Sequence, residues 1–475
     1  MTTTRATRVP DAPALQDSGA HEPPLGARLR YGFAVGDFGL NLYWQGLGLF
    51  LIYFQTDVLG IPASWAGLCY LIASVWDGLS DPIMGVIADR TRTRWGRYRP
   101  YLLLGSVPLA LAFALSFSAP QLPLPWLIAY SLATQMLVRA LYTALAIPYS
   151  SLSVVITHSS DARTRLTGLR MQFAFLGGIA VAYLLPSLAG WLGSGTGAQG
   201  YGYAALLIGA LATGVFGLCF VAVPEPPGRA AGRNEAGPLP PLVSDARAFL
   251  RLVARSQPLL RVLLGKLLVV FTLTMHTRNT VYYLKYTLGA VDAVGTILPL
   301  LTAASFASVP LWVLVTRRTS KRGTWLLGAA GTIAFSLGIQ FVPAPSRVLG
   351  VFLLCGVAAS TSAFAVAFWA MLPDTVEYNE LHFGRRDEAK LFGIASMAQK
   401  IAMGLSAAAS GWFLEASGFV ANTAQLPGAV DAIRTTMGLA PAAGALLSVV
   451  VMQGYRIDAA EHRRILQALQ TRSPA

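Results

Sequence analysis

The chain has 475 residues, of which 54% are hydrophobic and 12% are charged, and its mean hydropathy is +0.55. Soluble proteins carry about a quarter charged residues, so this composition excludes an ordinary soluble globular protein. The net charge of +14 would suit a nucleic-acid-binding protein. However, the basic residues are spread over short loops between apolar runs, which argues against a nucleic-acid partner.

The first 28 residues are polar and contain no apolar core segment, so they are interpreted as a disordered cytoplasmic tail and not as a signal peptide. After them, apolar runs of about 20 residues recur, which is the length that crosses a bilayer as a helix. The runs lack the alternation of a transmembrane barrel. Twelve membrane-spanning helices are therefore predicted, at residues 30–54, 64–88, 100–118, 125–150, 168–193, 202–223, 259–286, 293–315, 324–342, 348–372, 389–416 and 434–455.

The loops between these helices alternate in charge. Five arginines lie between Arg90 and Arg99, after the second helix, and further basic clusters follow the eighth and tenth helices. The intervening loops hold almost no Lys or Arg. By the positive-inside rule, both termini are predicted to be cytoplasmic, in a bacterial-type inner membrane.

The longest polar stretch divides the helices into six and six. The basic loop Asp89–Arg97 after helix two is echoed by Thr316–Gly323 after helix eight. Such a repeat predicts two pseudo-symmetric bundles that move about a central site. The predicted segments are a tail at 1–28, a six-helix bundle at 29–223, a cytoplasmic linker at 224–257, a second bundle at 258–455 and a tail at 456–475.

The first of these loops carries a recognisable signature. Gly85-Val-Ile-Ala-Asp89-Arg90, with Arg97 further on, resembles the loop motif of the major facilitator superfamily. The resemblance implies that Asp89, Arg90 and Arg97 form a latch that holds one conformation. The motif identifies a fold and leaves the cargo open.

Helix two also carries two acidic residues inside the predicted membrane. Asp77 and Asp81 are four residues apart, which places both carboxylates on one helical face. A charge at mid-membrane costs about 2.5–3.5 kcal/mol on insertion scales, so such a residue is a functional candidate. Bound Na⁺ or H⁺ would relieve the repulsion between the two carboxylates. The alternative is a structural pair satisfied by nearby arginines.

Several motifs together resemble the glycoside–pentoside–hexuronide:cation symporters, a family of the major facilitator superfamily. The matches run from Tyr31 to about residue 416 and include Trp76-Asp-x-x-x-Asp-Pro82, Arg94-Trp-Gly-Arg-Tyr-Arg-Pro100, Ile147-Pro-Tyr149, Tyr282-Tyr-Leu-Lys-Tyr-Thr-Leu-Gly289 and Asp374-Thr-Val-Glu-Tyr378. The resemblance implies an all-α membrane protein with the major facilitator fold. It further implies a monomeric carrier in the lipid bilayer, without a cofactor, for a small-molecule solute and a co-transported cation.

The resemblance also implies a cation-coupling site. Asp77 and Asp81 match the cation-binding carboxylates of the family, with Ser80 between them on the helix and Thr143 matching a hydroxyl ligand on helix four. Lys400 matches a lysine on helix eleven that communicates with those carboxylates. An ammonium group can neutralise the aspartates when no cation is bound, whereas the alternative for Lys400 is a permanent structural salt bridge.

The solute site is less well matched. The family's known sugar site uses two acidic residues, and Asn41 and Ala146 stand at those positions, although Asp37 could supply one acid. This departure argues against a galactoside bound in the same manner. Arg170 aligns with a sugar-contacting arginine, or alternatively extends toward the cytoplasmic loop. The candidate substrate residues are Asp37, Asn41, Tyr149, Arg170, Arg278 and Trp369.

Two further arginines lie within predicted helices. Arg139 is one turn before Thr143, and we hypothesise that it faces Asp77 or Asp81 and partly replaces Na⁺, favouring proton coupling or uncoupled transport. The alternative is that Arg139 lies against a different helix and pairs with another residue there. A guanidinium more than about 8 Å from both aspartates would contradict the hypothesis. Arg278, together with Arg170, is suited to an acidic group such as a uronate or sulfonate.

The predicted function is symport of a glycoside-like solute with Na⁺ or H⁺ by alternating access. The alternatives are transport of an amphiphile such as a lysolipid, or an uncoupled or proton-linked carrier of an organic anion. The sequence contains no His-Glu-x-x-His, Gly-x-Ser-x-Gly or P-loop motif, so an enzyme is not expected.

Overall fold

The computed structural model describes residues 26–156, 160–193, 198–224, 255–342, 346–383 and 388–472. Within these ranges the chain is almost entirely helical. The α-helices are α1 (Ala27–Tyr53), α2 (Ala63–Arg90), α3 (Arg99–Leu104), α4 (Ser106–Ser116), α5 (Leu124–Ile156), α6 (Ser160–Leu192), α7 (Ala198–Ala222), α8 (Gln257–Tyr282), α9 (Val294–Arg318), α10 (Lys321–Phe341), α11 (Arg347–Phe383), α12 (Glu388–Ala416), α13 (Pro427–Met437), α14 (Leu439–Met452) and α15 (Ala459–Arg472).

The predicted spans all fall on helices. Among the described residues, nine helical segments are long and apolar enough to cross a membrane. The other three predicted spans correspond to α1, α2 and α12, which have 27, 28 and 29 residues. These helices carry the charged candidates Asp37, Asp77, Asp81 and Lys400, and their lengths are consistent with twelve crossings.

The helix boundaries differ from the predicted ones in an informative way. Helices α5, α6 and α11 run well beyond the apolar windows, the last as far as Phe383. Hydropathy detects the part that lies in lipid, whereas the backbone hydrogen bonds of a helix continue into water. Two predicted spans are instead divided, at Gly105 between α3 and α4 and at Gly438 between α13 and α14.

The helices pack in two groups with the same internal arrangement. In the first half, α1 packs on α6 and α7, α2 packs on α5, and α4 packs on α7. In the second half, α8 packs on α12 and α14, α9 packs on α11, and α10 packs on α14. The main contacts between the halves are α2 with α12 and α6 with α9. When each helix is replaced by its equivalent in the other half, α2 by α9 and α6 by α12, each of these contacts becomes the other. This pattern is the pseudo-two-fold symmetry expected of two repeated bundles.

The two halves share a local feature as well. Helix α1 continues into a π-helical turn, Phe54–Val58, and α8 continues into the π-helical turn Tyr283–Thr287. Each turn is followed by Leu-Gly, and the glycines Gly60 and Gly289 have φ angles of 72° and 57°. Only glycine adopts these angles without strain, so both repeats need it there. We call this end of the bundle the outer end and the opposite end the inner end.

The two π-helical turns contact each other across the boundary between the halves. The Lys285 ammonium donates to Asp57 Oδ1 at 2.7 Å and to Asn422 at 2.6 Å, and the Tyr286 hydroxyl donates to the same Asp57 oxygen. Thr56 and Tyr282 share a hydroxyl–hydroxyl bond of 2.6 Å. We refer to these residues as the outer network, and they join the halves at the outer end.

Small residues bring α2 and α12 into close contact near the same end. A Cβ at Gly67 would lie 2.6 Å from the carbonyl oxygen of Ala407, and one at Gly411 would lie 2.1 Å from that of Ala63. Both separations are too short for any side chain, so the backbones touch, as in the small-residue contacts common between membrane helices. Together with the outer network, this contact holds the halves together at the outer end.

The predicted domain boundaries stay predictions. Residues 1–25 of the first tail and residues 225–254 of the linker lie outside the described residues. The tail predicted at 456–475 contains α15, which Asp458 caps by accepting hydrogen bonds from the backbone amides of Ala460 and Glu461 at 2.9 and 2.8 Å. These bonds hold the pKa of the Asp458 carboxyl below its usual range. The helix packs on α11.

Candidate functional site

Two carboxylates of α2 and one hydroxyl of α5 form the centre of the site. Asp77 is fully buried, at 0% exposure, and Asp81 lies one helical turn further along. The Thr143 hydroxyl is 3.0 Å from Asp77 Oδ1 and 2.9 Å from Asp81 Oδ1. A single hydroxyl thus contacts both acids. The Ser80 hydroxyl instead bonds to the backbone carbonyl of Asp77 at 3.0 Å.

Lys400 reaches this centre from the other half of the molecule. Its ammonium on α12 lies 2.5 Å from Asp81 Oδ2 and 3.1 Å from Asp77 Oδ2. Arg139, on α5, lies 3.6 Å from Asp77 Oδ2, within the 8 Å limit set for it above. Two carboxylates therefore face two cationic groups, and the formal charges of the four side chains sum to zero. Neutrality lowers the cost of placing these charges inside a membrane.

The buried oxygen Asp77 Oδ2 is not fully satisfied. It makes no hydrogen bond of good geometry within the described part of the chain, although two cations approach it. The oxygens of Asp77, Asp81 and Thr143 are the hard donors that a small cation prefers. The donor set therefore fits a transported cation that competes with the Lys400 ammonium.

A second cluster of charged and polar residues lies entirely within the first half. Arg170 on α6 pairs with Asp37 on α1, with Nε 2.5 Å from Oδ2 and a second guanidinium nitrogen 3.2 Å from Oδ1. The Tyr149 hydroxyl donates to Asp37 Oδ2 at 2.7 Å. Asn41 bonds to the backbone carbonyl of Asp37 at 2.9 Å. The residues Asp37, Asn41, Tyr149 and Arg170 are thus brought together, and the Arg170 charge is already matched by an acid.

Arg278 has different partners. Its guanidinium on α8 donates to the backbone carbonyls of Leu47, at 3.0 Å, and Gly48 in α1, and to the hydroxyl of Tyr70. Two guanidinium groups lie over the same Tyr70 ring, that of Arg278 at 4.1 Å from its centre and that of Arg139 at 4.4 Å. A cation over the face of an aromatic ring is attracted to it. Arg278 thereby connects the second half to helices α1 and α2.

A central cavity of about 410 Å³ lies between the halves. Asp77 and Arg139 form part of its wall, so the candidate cation site and the cavity are continuous. Helix α11 contributes residues from Thr361 to Ala365 to the lining, whereas Trp369 lies one turn further along and is 54% exposed. The lining also includes Trp44, Gln45, Tyr70, Lys266, Thr274, Thr277, Arg278 and Gln399.

A separate apolar groove lies between α8 and α12. It has a volume of about 390 Å³ and is lined by aliphatic and aromatic side chains, among them Leu264, Phe271 and Ile401. None of its lining residues also lines the central cavity. The groove is therefore separate from the central cavity.

The latch residues are only partly described. The side chain of Asp89 lies outside the described residues. Arg90 is exposed at the end of α2, and the Arg97 guanidinium lies 5.8 Å from the centre of the Tyr98 ring. The latch role of Asp89, Arg90 and Arg97 stays a prediction.

One charged cluster was missed by the sequence analysis. At the inner end, the Lys321 ammonium contacts both oxygens of Asp374 at 2.7 and 2.6 Å, and His462 of α15 bonds to Glu377. Ligand atoms of Asp374, Glu377 and His462 lie within 4.8 Å of one another. Lys321 already neutralises Asp374, so the cluster serves to attach α15 to α11.

Comparison with known proteins agrees with this geometry. The model of the MFS/sugar transport protein family matches residues 32–459. An isoprimeverose transporter of Lactiplantibacillus pentosus is 28% identical over 445 residues, covering 92% of this chain and 90% of its own. An inner membrane symporter of Escherichia coli (strain K12) is 27% identical, with 91% and 92% covered. A glucuronide carrier protein homolog of the same organism is 27% identical, with 94% and 96% covered.

The fold has a solved counterpart. A nucleoside transporter superimposes with a TM-score of 0.67 at 14% identity, covering 90% of this chain and 100% of the other. At this identity the likeness concerns the fold alone. The helical bundle and the family match lead to one conclusion: the chain belongs to the MFS/sugar transport protein family and is an integral membrane transporter, not an enzyme.

Proposed function

We propose that the protein is a cation-coupled symporter of a sugar-like solute that works by alternating access. The observation that carries this proposal is the contact of Lys400, in the second half, with both carboxylates of the first. A cation that binds Asp77, Asp81 and Thr143 must compete with that contact. Cation binding is therefore linked to the interaction between the halves, as coupled transport requires.

The arrangement suggests the order of events. In the described state the halves are joined at the outer end, and Lys400 and Arg139 together neutralise Asp81 and Asp77. When Na⁺ or H⁺ reaches the two carboxylates, it replaces one positive charge and releases the ammonium. The cation and the solute then favour the same rearrangement of the halves, because the cavity and the centre share Asp77.

Arg139 bears on the choice of cation. Because Arg139 already contributes one positive charge beside Asp77, less negative charge remains for Na⁺ than in a site that has only the lysine. A proton neutralises one carboxylate without needing several oxygen ligands. We therefore propose proton coupling as the first possibility, with weak Na⁺ coupling as the second.

The orientation follows from the loop charges. The basic loops lie at the inner end, and the positive-inside rule places that end in the cytoplasm together with both termini. We propose that the protein is a monomer in a bacterial inner membrane, with the outer network facing away from the cytoplasm. The described state is then closed to the outside.

The proposal is tested by purified protein in proteoliposomes with an imposed H⁺ or Na⁺ gradient and a panel of labelled glycosides and glycuronides. The Asp77→Asn variant should reduce accumulation to the level seen without a gradient, while exchange of solute at equal concentrations continues. This result is expected because the amide removes the charge and keeps the shape of the side chain.

The matched control is Asp292→Asn, which removes an exposed acid paired with Arg347 within the second half. That variant should accumulate solute as well as the unmodified protein. Gradient-driven accumulation that survives Asp77→Asn would refute the coupling assignment. Uptake that lysolipid blocks and sugars leave unchanged would favour the amphiphile alternative.

A further inference from the structure

The central cavity has the size and polarity for one small polar molecule. Its volume of about 410 Å³ falls in the range typical of small-molecule sites. Gln45, Thr274, Thr277 and Gln399 offer neutral hydrogen-bonding groups, and Trp44 offers a ring face. Such groups suit the hydroxyls and the apolar face of a sugar ring.

Three cationic side chains line this cavity, and two of them have partners. Arg139 lies beside Asp77, and Arg278 donates to backbone carbonyls and to Tyr70. Lys266 is different: within the described ranges its ammonium has neither a hydrogen bond nor an ion pair. Its nearest recorded partner is the ring of Phe368, whose centre is 4.8 Å away.

A charged lysine in this position is short of a counter-ion. Removing an ammonium from water is costly unless it is paired, and a contact with one aromatic ring returns only about 0.5–2 kcal/mol. The lysine lies in α8 inside the predicted membrane, where a lone cation is costlier still. A negative group on the bound molecule would satisfy it.

Lys266 lies apart from the two arginines, Arg170 and Arg278, that the sequence suggested for an acidic group. Arg278 comes twelve positions after Lys266 in α8, so their backbones are about 18 Å apart along the helix. Arg170 is paired with Asp37 in the first half. The joint binding of an acid by Arg170 and Arg278, expected from the sequence, is therefore less favoured than binding by Lys266.

We propose that the transported solute carries one oxyanion, a carboxylate or a sulfonate, and that Lys266 binds it. The proposal rests on the symport function proposed above. The neutral part of the solute then extends along the cavity toward Gln399, which precedes the coupling residue Lys400 in α12. Solute and cation thereby meet on adjacent residues of one helix.

The test uses three probes that differ only in the group at carbon 6. They are methyl β-glucoside with a hydroxymethyl group, methyl β-glucuronide with a carboxylate, and methyl 6-deoxy-6-sulfo-β-glucoside with a sulfonate bound to that carbon. Binding to the purified protein is measured by the rise in unfolding temperature, which needs neither a gradient nor transport. We expect the unmodified protein to bind at least one anionic probe about tenfold to a hundredfold more tightly than the neutral glucoside, the range for one charged hydrogen-bonded contact.

Lys266→Gln should remove this preference, because it should weaken the binding of the anionic probe and leave the binding of the neutral probe unchanged. Lys266→Arg should keep it, because the charge remains. The control Thr277→Val should weaken the binding of anionic and neutral probes by the same factor. Because Lys266→Gln removes an unpaired charge, the variant without solute should unfold at the same or a higher temperature, so loss of binding is not loss of fold.

The outcomes separate this proposal from the proposed function. If the neutral glucoside binds as tightly as both anions and Lys266→Gln changes neither, the Lys266 assignment is wrong and sugar symport stands. If only the carboxylate or only the sulfonate is preferred, that oxyanion is identified. If no sugar binds or is transported under any gradient, the proposed function fails and the assignment fails with it.

Discussion

At the scale of single residues, Arg139 is the feature that distinguishes this centre. Its guanidinium lies 3.6 Å from the buried carboxylate of Asp77 and covers one face of the Tyr70 ring. Two unit charges about 4 Å apart interact by roughly 4 kcal/mol at an effective dielectric constant of 20. Part of this energy offsets the desolvation of both groups, and the rest opposes the binding of a second cation.

Replacing Arg139 by Gln should therefore strengthen the dependence on Na⁺. We expect the Na⁺ concentration that gives half-maximal stimulation of solute binding to fall by about tenfold or more, a change of about 1.4 kcal/mol. The measurement is solute binding to purified protein across a series of Na⁺ concentrations at constant ionic strength. Arg347→Gln is the control, because it removes an exposed arginine far from the centre. Equal Na⁺ dependence in both variants would contradict the role proposed for Arg139.

Sequence reasoning was most successful where one helix carries the information. Asp77 and Asp81 lie one turn apart, and Thr143 and Lys400 were assigned to them through a resemblance to a family. Tyr70 and Lys266 were missed because their importance depends on which way each side chain faces. A lysine in an apolar helix has the same sequence signal whether it points to lipid, to a carboxylate or into a cavity.

At the scale of helices, the two π-helical turns are the clearest repeated element. Each ends a helix that begins its half, and each is closed by a glycine with positive φ. In the sequence, Thr56–Gly60 and Tyr282–Gly289 are recognisable only as family motifs. The sequence could not predict that Asp57 of the first turn meets Lys285 of the second, because pairing across the halves depends on their relative placement.

The Asp57→Asn substitution should weaken the closure of the outer end. Asp57 accepts hydrogen bonds from Lys285 and Tyr286, and its loss leaves the partly buried ammonium without a counter-ion. We expect a cysteine introduced by Gln45→Cys, on the cavity wall, to react at least about fivefold faster with a maleimide that cannot cross the membrane and is added from outside. This factor corresponds to about 1 kcal/mol, a typical value for one such bond.

The control for this measurement is Asp292→Asn. It removes an ion pair of the same kind that lies within the second half and does not join the two halves. Its reaction rate should equal that of the parent protein. An unchanged rate in Asp57→Asn would indicate that the outer network does not hold the halves closed.

At the scale of the whole molecule, much of the architecture was predictable. Apolar runs predicted the helices, and the longest polar stretch gave the division into halves. The pairing of α2 with α12 was not predictable, because it depends on backbone contacts at Gly67 and Gly411 that small residues permit without requiring. The conformational state has no sequence signal at all, since one sequence must support every state of the transport cycle.

The ion pairs between the halves share a polarity. Two such contacts have the acid in the first half and the base in the second: Asp77 and Asp81 with Lys400, and Asp57 with Lys285. If the halves descend from a duplicated unit, they have since become unlike partners. Two copies of the first half would lack the lysines of these contacts, and two copies of the second would lack the aspartates.

Each half therefore selects the other, as the subunits of a heterodimer do. A chain cut within the predicted linker 224–257, with its halves produced together in one cell and only one half tagged, should yield complexes that contain one of each. Lys400→Glu combined with Lys285→Glu should abolish that selection. Halves that associate with their own copies as readily as with each other would show that packing, and not charge, brings them together.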